Sequence, residues 1–311
     1  MSFYISDEQV DRLGAEIIAN TQQAFPAISS EQIALTWLVY DANAPINTGG
    51  AIAALDFWRY QPRGFGHHDQ RRIYPASVVK LFYLVAAQEW LEKGMVNPSA
   101  EFDRALQDMV VDSSNDATSL VVDVLSGTNS GPALPPEPFK TWQHQRNIVN
   151  RYYQSLGWPE LVEINVNQKP WGDGPYGRER EFVGTLYNNR NMLTTAATAR
   201  LLHTLVGGVA VSGARSNAML DLMQRDLKLA QVLPAPGEEN QVEGFLAAGL
   251  PLDSQAYSKA GWTSQVRHDA CYAVMPDRPA SLLVVFTEGH AQERQLLPFI
   301  GKQWALALSK L

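Results

Sequence analysis

The chain has 311 residues, of which 45% are hydrophobic and 18% charged, with a formal net charge of −7. That length holds one domain or two closely packed ones with a sizeable core, and the composition excludes wholesale disorder. The acidic balance, without a dense Lys/Arg run, excludes a nucleic-acid partner, because phosphate binding needs a concentrated basic surface.

Along the chain, Asp7 to Phe25 carries Val10, Leu13, Ile17 and Ile18 near helical spacing and is expected to be an amphipathic helix. Two β-like runs follow, Ile33 to Tyr40 and Ala51 to Tyr60, joined by an Asn- and Gly-bearing loop. Ser77 to Lys93 is apolar nearly all round, and Gly94 offers a helix stop. Helical pieces are expected over Glu101 to Leu125, Phe139 to Leu156 and Thr194 to Val206. Glu163 to Asn191 reads as a long irregular loop. Strands are expected at Ser254 to Ala260, Asp269 to Met275 and Ser281 to Thr287, and a closing helix over Gln295 to Leu311.

This order implies an α+β fold: an antiparallel sheet of about five strands flanked by helices, with an inserted all-helical domain. The sheet domain comes from both chain ends (1–66 and 207–311). The insertion (67–206) carries Ser77, Lys80, Ser113 and Asn115. The single cysteine, Cys271, lies in an apolar run and is expected to be a buried core thiol. The opening MSFYISDEQV has no basic region followed by an apolar one, so a cytoplasmic protein is expected, or a periplasmic one if a leader has been removed. No apolar stretch is long enough to cross a bilayer. No cofactor and no metal are expected; the partner is a small-molecule or peptide substrate, and the oligomeric state is left open.

The chemistry begins at Lys80, the only charged residue between Arg72 and Glu89. Burying an ammonium is costly unless it is paired or gives up its proton, and desolvation lowers a lysine pKa, which turns the amine into a base. Ser77 lies three residues earlier, on the same face of a helix, where a partly neutral amine activates a hydroxyl. Taken alone, Ser-x-x-Lys arises by chance about once in a chain of this size, with the serine as an N-cap and the lysine reaching to solvent. Two further elements join it. Asp112 to Leu120 (DSSNDATSL) is a polar cluster between apolar helical runs, with Ser113 and Asn115 bracketing one residue. Lys259-Ala260-Gly261 ends a β-like run, and Gly261 allows a substrate to lie along the strand edge.

The ordered set Ser-x-x-Lys, Ser-x-Asn and Lys-x-Gly resembles the class A β-lactamase and penicillin-binding-protein family of active-site-serine hydrolases. The likeness extends to the order of elements, to Arg267–Val274 as the strand after Lys-x-Gly, and to Leu193–Val206 as the helix after the omega loop. The resemblance implies a β-lactamase/transpeptidase-like fold and acylation at Ser77 by a β-lactam or D-alanyl-peptide-like substrate. Residue by residue, it implies Ser77 as nucleophile, Lys80 as its base and Ser113 as proton relay to the leaving nitrogen. Asn115 would hold the substrate amide, and Lys259 would supply positive charge. Gly261 and Trp262 would line the substrate edge, with the backbone N–H groups of Ser77 and Trp262 as oxyanion hole. Arg267 is a candidate carboxylate anchor.

Three departures bear on turnover. Only 33 positions separate Lys80 from Ser113 (113 − 80), fewer than is usual in class A. The Glu163–Asn191 segment contains Glu163, Asp173, Glu179 and Glu181, but none in a Glu-x-x-Leu-Asn setting, so weak deacylation is expected. Ala260 replaces the usual Thr or Ser, and bulky Trp262 follows Gly261. A peptidase or esterase on the same scaffold, and a binding or sensor protein that acylates without turnover, stay open as alternatives. Gly172–Gly177 matches a dinucleotide fingerprint in letters only, and His67-His68-Asp69 reads as a loop rather than a metal site.

Overall fold

The computed structural model describes residues 2–172, 174–233 and 240–311. The first half of the chain forms β1 (Ile5–Ser6), α1 (Glu8–Ala24), β2 (Ile33–Val39), α2 (Ala54–Phe57), β3 (Arg63–His67), α3 (Lys80–Glu92), α4 (Ala100–Val111), α5 (Asn115–Ser126), α6 (Pro136–Arg146) and α7 (Ile148–Ser155). The second half forms α8 (Gly177–Val183), α9 (Thr195–Val206), α10 (Gly213–Met223), β4 (Gln224–Arg225), β5 (Gln255–Trp262), β6 (Val266–Val274), β7 (Ser281–Glu288) and α11 (Leu296–Leu308). These fall into two compact units, Met1–Arg71 with Thr194–Leu311, and Arg72–Leu193.

The first unit is built on one sheet of order β1-β3-β2-β7-β6-β5-β4. Every pairing is antiparallel except β1 with β3. The sheet therefore has the expected character but seven strands among the described residues, the additional two being two-residue edge pieces. Its neighbouring strands β2 and β7 are apolar with little alternation because both faces are covered. On one face, Val10, Leu13 and Ile17 of α1 and Ile300 and Trp304 of α11 meet Leu35, Trp37, Cys271, Ala273, Leu283 and Val285. Each fully buried Val, Leu or Ile among them contributes about 1.5–3 kcal/mol. Ser281 Oγ satisfies two buried indoles at once, accepting from Trp37 Nε1 at 2.8 Å and Trp304 Nε1 at 3.0 Å, and donates to Leu38 O. Cys271 is the expected core thiol, and burial pushes its pKa well up.

The structure corrects two sequence readings. The second strand is Arg63–His67, not Ala51–Tyr60, where the short helix α2 lies instead. Glycines hide this strand from a propensity reading. A Cβ on Gly64 would come within 2.9 Å of Leu38, and the neighbouring Phe65 ring packs so closely on α1 that a Cβ on Gly14 would lie 2.2 Å from it. Helix α9, assigned by sequence to the inserted block, belongs to the sheet unit. It packs on β2, β6 and β7, and Thr36 Oγ1 donates to Thr195 Oγ1 at 2.8 Å. Burial all round suits a helix that covers a sheet face.

The second unit is helical and centred on α3, which is buried from Lys80 to Gln88 and packs against α4, α5 and α7. Tyr153 Oη donates to Phe82 O at 2.6 Å and Trp90 Nε1 to Leu125 O at 3.1 Å, so these two buried aromatics keep their polar groups paired. Ser99 caps α4 and Ser114 caps α5, each through a side-chain bond to a first-turn amide. The long segment before α9 is not wholly irregular, because it contains α8.

Candidate active site

Within the helical unit, Ser77 sits in a 3-10 turn, Ala76–Val79, that runs directly into α3 at Lys80. Ala76 holds φ at 47°, a left-handed conformation that costs a non-glycine residue on the order of 1–3 kcal/mol and is stored at functional turns. Ser77 is half-buried and three residues before Lys80 on a continuous helical path, so both side chains share one face.

Lys80 is fully buried. Its Nζ donates to the backbone carbonyl of Ser113, to Ser113 Oγ at 3.2 Å and to Asn115 Oδ1 at 2.9 Å. The Ser113 turn that offers these acceptors has φ at 57°, and it is locked by Ser114 N donating to Asp108 O and by the Ser114 cap on Ala117 N. All three acceptors are neutral. Burial brings the Lys80 pKa down to about 7. An ammonium uses all three protons in these bonds. A neutral amine has a lone pair, and of the three acceptors only the Ser113 hydroxyl can reverse and donate to it. Four residues singled out by sequence therefore lie in one unit: Lys80 joins Ser113 and Asn115 by hydrogen bonds, and Ser77 precedes it by one turn.

The acidic residues of the 163–191 segment are placed elsewhere. Glu163 and Glu181 are exposed, and Asp173 lies outside the described residues, as does part of the Gly172–Gly177 stretch. Glu179 is fully buried on α8, accepting from Arg146 Nη2 at 2.6 Å and Ser130 Oγ at 2.9 Å. Asp123 pairs with both Arg146 (3.1 Å) and Lys169 (2.7 Å), which makes a four-charge cluster tying the segment to α5 and α6. Asn191 and Tyr83 hold the Gln168 backbone, and Asn150 Oδ1 accepts from Val166 N at 2.6 Å. Sequence reasoning named the acidic residues of the segment but missed Asp123, Arg146, Asn150, Lys169 and Asn191 as their partners and supports. The available signals were Asp123 inside an apolar helix and the repeated asparagines of 165–191.

In the sheet unit, β4 reaches only Ala256 and Tyr257, so no strand continues alongside Ala260–Trp262 among the described residues. Lys259 is buried, and its Nζ donates to Gln241 Oε1 and to Ala260 O. Arg225 donates to Ser258 O through Nε and Nη2 at 3.2 and 2.7 Å, an edge contact the sequence did not reveal. Gly261 pairs with His268, and Trp262, 36% exposed, ends the strand.

Arg267, the candidate carboxylate anchor, lies buried on β6. It pairs with Trp262 and shares its face with Ala260, Asp269 and the core residue Cys271, opposite to the face of Lys259 and Gly261. Its guanidinium donates to Ala291 O at 2.9 Å and lies 4.8 Å from the Phe245 ring and 5.7 Å from that of Trp262. Ala260 is a core residue on the same face, beside Asp269, whose buried carboxyl is pushed up to about 7 by desolvation. No group of three or more His, Cys, Asp or Glu among the described residues forms a metal site, and no helix among them is long and apolar enough to cross a membrane.

Known proteins share this architecture. A β-lactamase from Sphaerobacter thermophilus superposes with a TM-score of 0.62 at 18% identity, covering 96% of this chain and 98% of that one. A β-lactamase from Xanthomonas campestris gives 0.61 at 17% identity, over 96% and 98%. The protein PBP-A gives 0.61 at 15% identity, over 99% and 98%. At such identities these likenesses establish the β-lactamase/transpeptidase-like fold. No curated protein matches the sequence. A profile of the Beta-lactamase enzyme family matches residues 99–303, a span that holds Ser113, Asn115, Lys259 and Gly261 and starts after Ser77 and Lys80. The chain belongs to the β-lactamase enzyme family.

Proposed function

We propose that this protein is an active-site-serine hydrolase, acylated at Ser77 by a β-lactam or D-alanyl-peptide-like substrate, that releases its acyl group slowly. The observation that carries the reading is Lys80: a buried amine with a pKa near neutrality, held by neutral acceptors one turn from Ser77. In its neutral form Lys80 takes the Ser77 proton as Oγ bonds to the substrate carbonyl carbon. Backbone N–H groups, that of Ser77 among them, stabilise the oxyanion. As the C–N bond breaks, Ser113 Oγ gives its proton to the leaving nitrogen and receives one from Lys80, which returns the amine to its starting state and leaves an ester on Ser77. Asn115 orients the substrate amide. Lys259, Gly261 and Trp262 take substrate-binding roles on β5 by resemblance.

Hydrolysis of the ester needs a base for water. Among the described residues the acceptors of Lys80 Nζ are all neutral, and Glu179 is committed to Arg146. This favours a long-lived acyl-enzyme, and with it the reading of a penicillin-binding protein or sensor over an efficient β-lactamase. A structural relative, a point mutant of PBP-A, was captured as an acyl-enzyme complex with penicillin G (TM-score 0.62, 16% identity), which supports the ligand class. The test is intact-protein mass spectrometry after incubation with a fluorescent penicillin, beside Ser77→Ala. A persistent adduct on the wild type alone is the expected result. Rapid drug loss without an adduct overturns slow release, and no reaction at all overturns the ligand class in favour of peptide or ester substrates.

A further inference from the structure

A cleft lies on the sheet unit, on the same face of β5 as Lys259 but toward the start of the strand. It measures about 360 Å³, and its lining includes Asn47, Asn217, Asp221, Gln255, Tyr257 and Tyr272. That size is at the small end of ligand sites and accommodates one or two sugar rings. Its walls are fixed. Asn47 Nδ2 donates to Tyr272 Oη at 3.0 Å, and the loop that carries Asn47 meets the start of α10 so closely that a Cβ on Gly213 would lie 2.4 Å from the Gly50 backbone. Tyr257 Oη donates to Gln255 Oε1 at 3.3 Å, and the Tyr257 and Tyr272 rings lie 5.9 Å apart at 31°.

We propose that this cleft binds a neutral saccharide. The partly exposed Tyr257 ring, backed by the buried Tyr272, offers an apolar face to the C–H side of a pyranose. Around it, three carboxamides (Asn47, Asn217 and Gln255) and the Asp221 carboxylate present donors and acceptors together, the mixture that vicinal hydroxyls need. The lining residues include no cationic side chain, which excludes phosphate and carboxylate ligands as the favoured class. The cleft uses none of the residues assigned to acylation, so it stands whether or not Ser77 reacts with β-lactams.

The test is an NMR titration of the ¹⁵N-labelled full chain with cellobiose as the neutral probe, and with glucosamine and glucuronate as charged controls. Saturable shifts confined to the amides around Asn217, Gln255 and Tyr257 are expected, unchanged in Ser77→Ala. Tyr257→Ala weakens binding at least tenfold, equivalent to about 1.4 kcal/mol, while Tyr257→Phe stays within about twofold because the ring is kept. Asn217→Ala, on the exposed face of α10, weakens binding several-fold without the folding risk of a strand substitution. No saturable shift with cellobiose, shifts located away from the cleft, or tighter binding of glucosamine than of cellobiose overturns the proposal.

Discussion

Asn191 grips the backbone of Gln168 from both sides: its Oδ1 accepts from the amides of Asn167 and Gln168 at 3.0 and 2.9 Å, and its Nδ2 donates to the Gln168 carbonyl at 2.8 Å. Tyr83, one turn beyond Lys80 on α3, donates to the same carbonyl at 2.6 Å. Removing the carboxamide strands two buried N–H groups, whereas removing the Tyr83 hydroxyl leaves the carbonyl one partner. Asn191→Ala is expected to cost about 3 kcal/mol and Tyr83→Phe about 1 kcal/mol, read from urea denaturation midpoints. Equal losses in the two variants contradict the clamp.

Lys80 imposes a pH signature. Burial lowers it from 10.5 to about 7 in the folded chain. Between those values the unfolded state binds a proton that the folded state does not. The group's contribution to stability therefore rises with pH across that window, by about 1.4 kcal/mol per unit, and is flat outside it. Acylation is expected to accelerate through an inflection near neutrality as the amine loses its proton, and Lys80→Met is expected to abolish it. Stopped-flow acylation from acid to mildly alkaline pH is the measurement. A rate independent of pH counts against Lys80 as the base.

The Arg146–Glu179 pair is buried on both sides. Breaking one partner of such a pair leaves an uncompensated charge and costs about 3–5 kcal/mol. Glu179→Gln and Arg146→Met each are expected to lower the thermal midpoint strongly. The double substitution is expected to recover much of the loss, a coupling that a double-mutant cycle measures directly. Additive losses contradict it.

Two substitutions on the core face of β5 and β6 separate packing from chemistry. Ala260→Thr restores the hydroxyl usual in relatives, but Ala260 is 3% exposed and packed in the core. Overpacking is expected to cost about 1–3 kcal/mol without faster acylation. Arg267→Ala is expected to destabilise, because it uncovers the Phe245 and Trp262 rings and the carbonyls of Ala291 and Gly244, while the apparent substrate affinity of the folded fraction holds. A large loss of that affinity at full stability restores Arg267 as an anchor.

What the sequence revealed depended on isolation and period. A single cation in an otherwise apolar helix drew attention to Lys80, and Ser113 and Asn115 stood out as polar residues between apolar runs. Strands β6 and β7 were visible as apolar runs, but their burial on both faces erased the alternation that tells one face from the other. The side of the sheet that Arg267 takes was therefore unreadable, and the register with Trp262 supplied it. Strand β3 was missed because Gly64 and Gly66 carry no side chain to signal it. The Asn191 clamp and the Asp123–Arg146–Glu179–Lys169 cluster join distant polar residues whose local composition signals only a loop.

The sheet also sets an order of events during synthesis. Trp37 and Ser281, bonded across neighbouring strands β2 and β7, are separated by 244 positions. On a ribosome that releases the chain from its N-terminus, β2 emerges long before its central partner exists, while α3 to α8 acquire their neighbours as they appear. Ile33–Val39, apolar at nearly every position, spends that interval with one side uncovered. A chaperone that binds short apolar segments has its longest opportunity there, and truncation ahead of β7 is expected to leave this strand as the main site of aggregation.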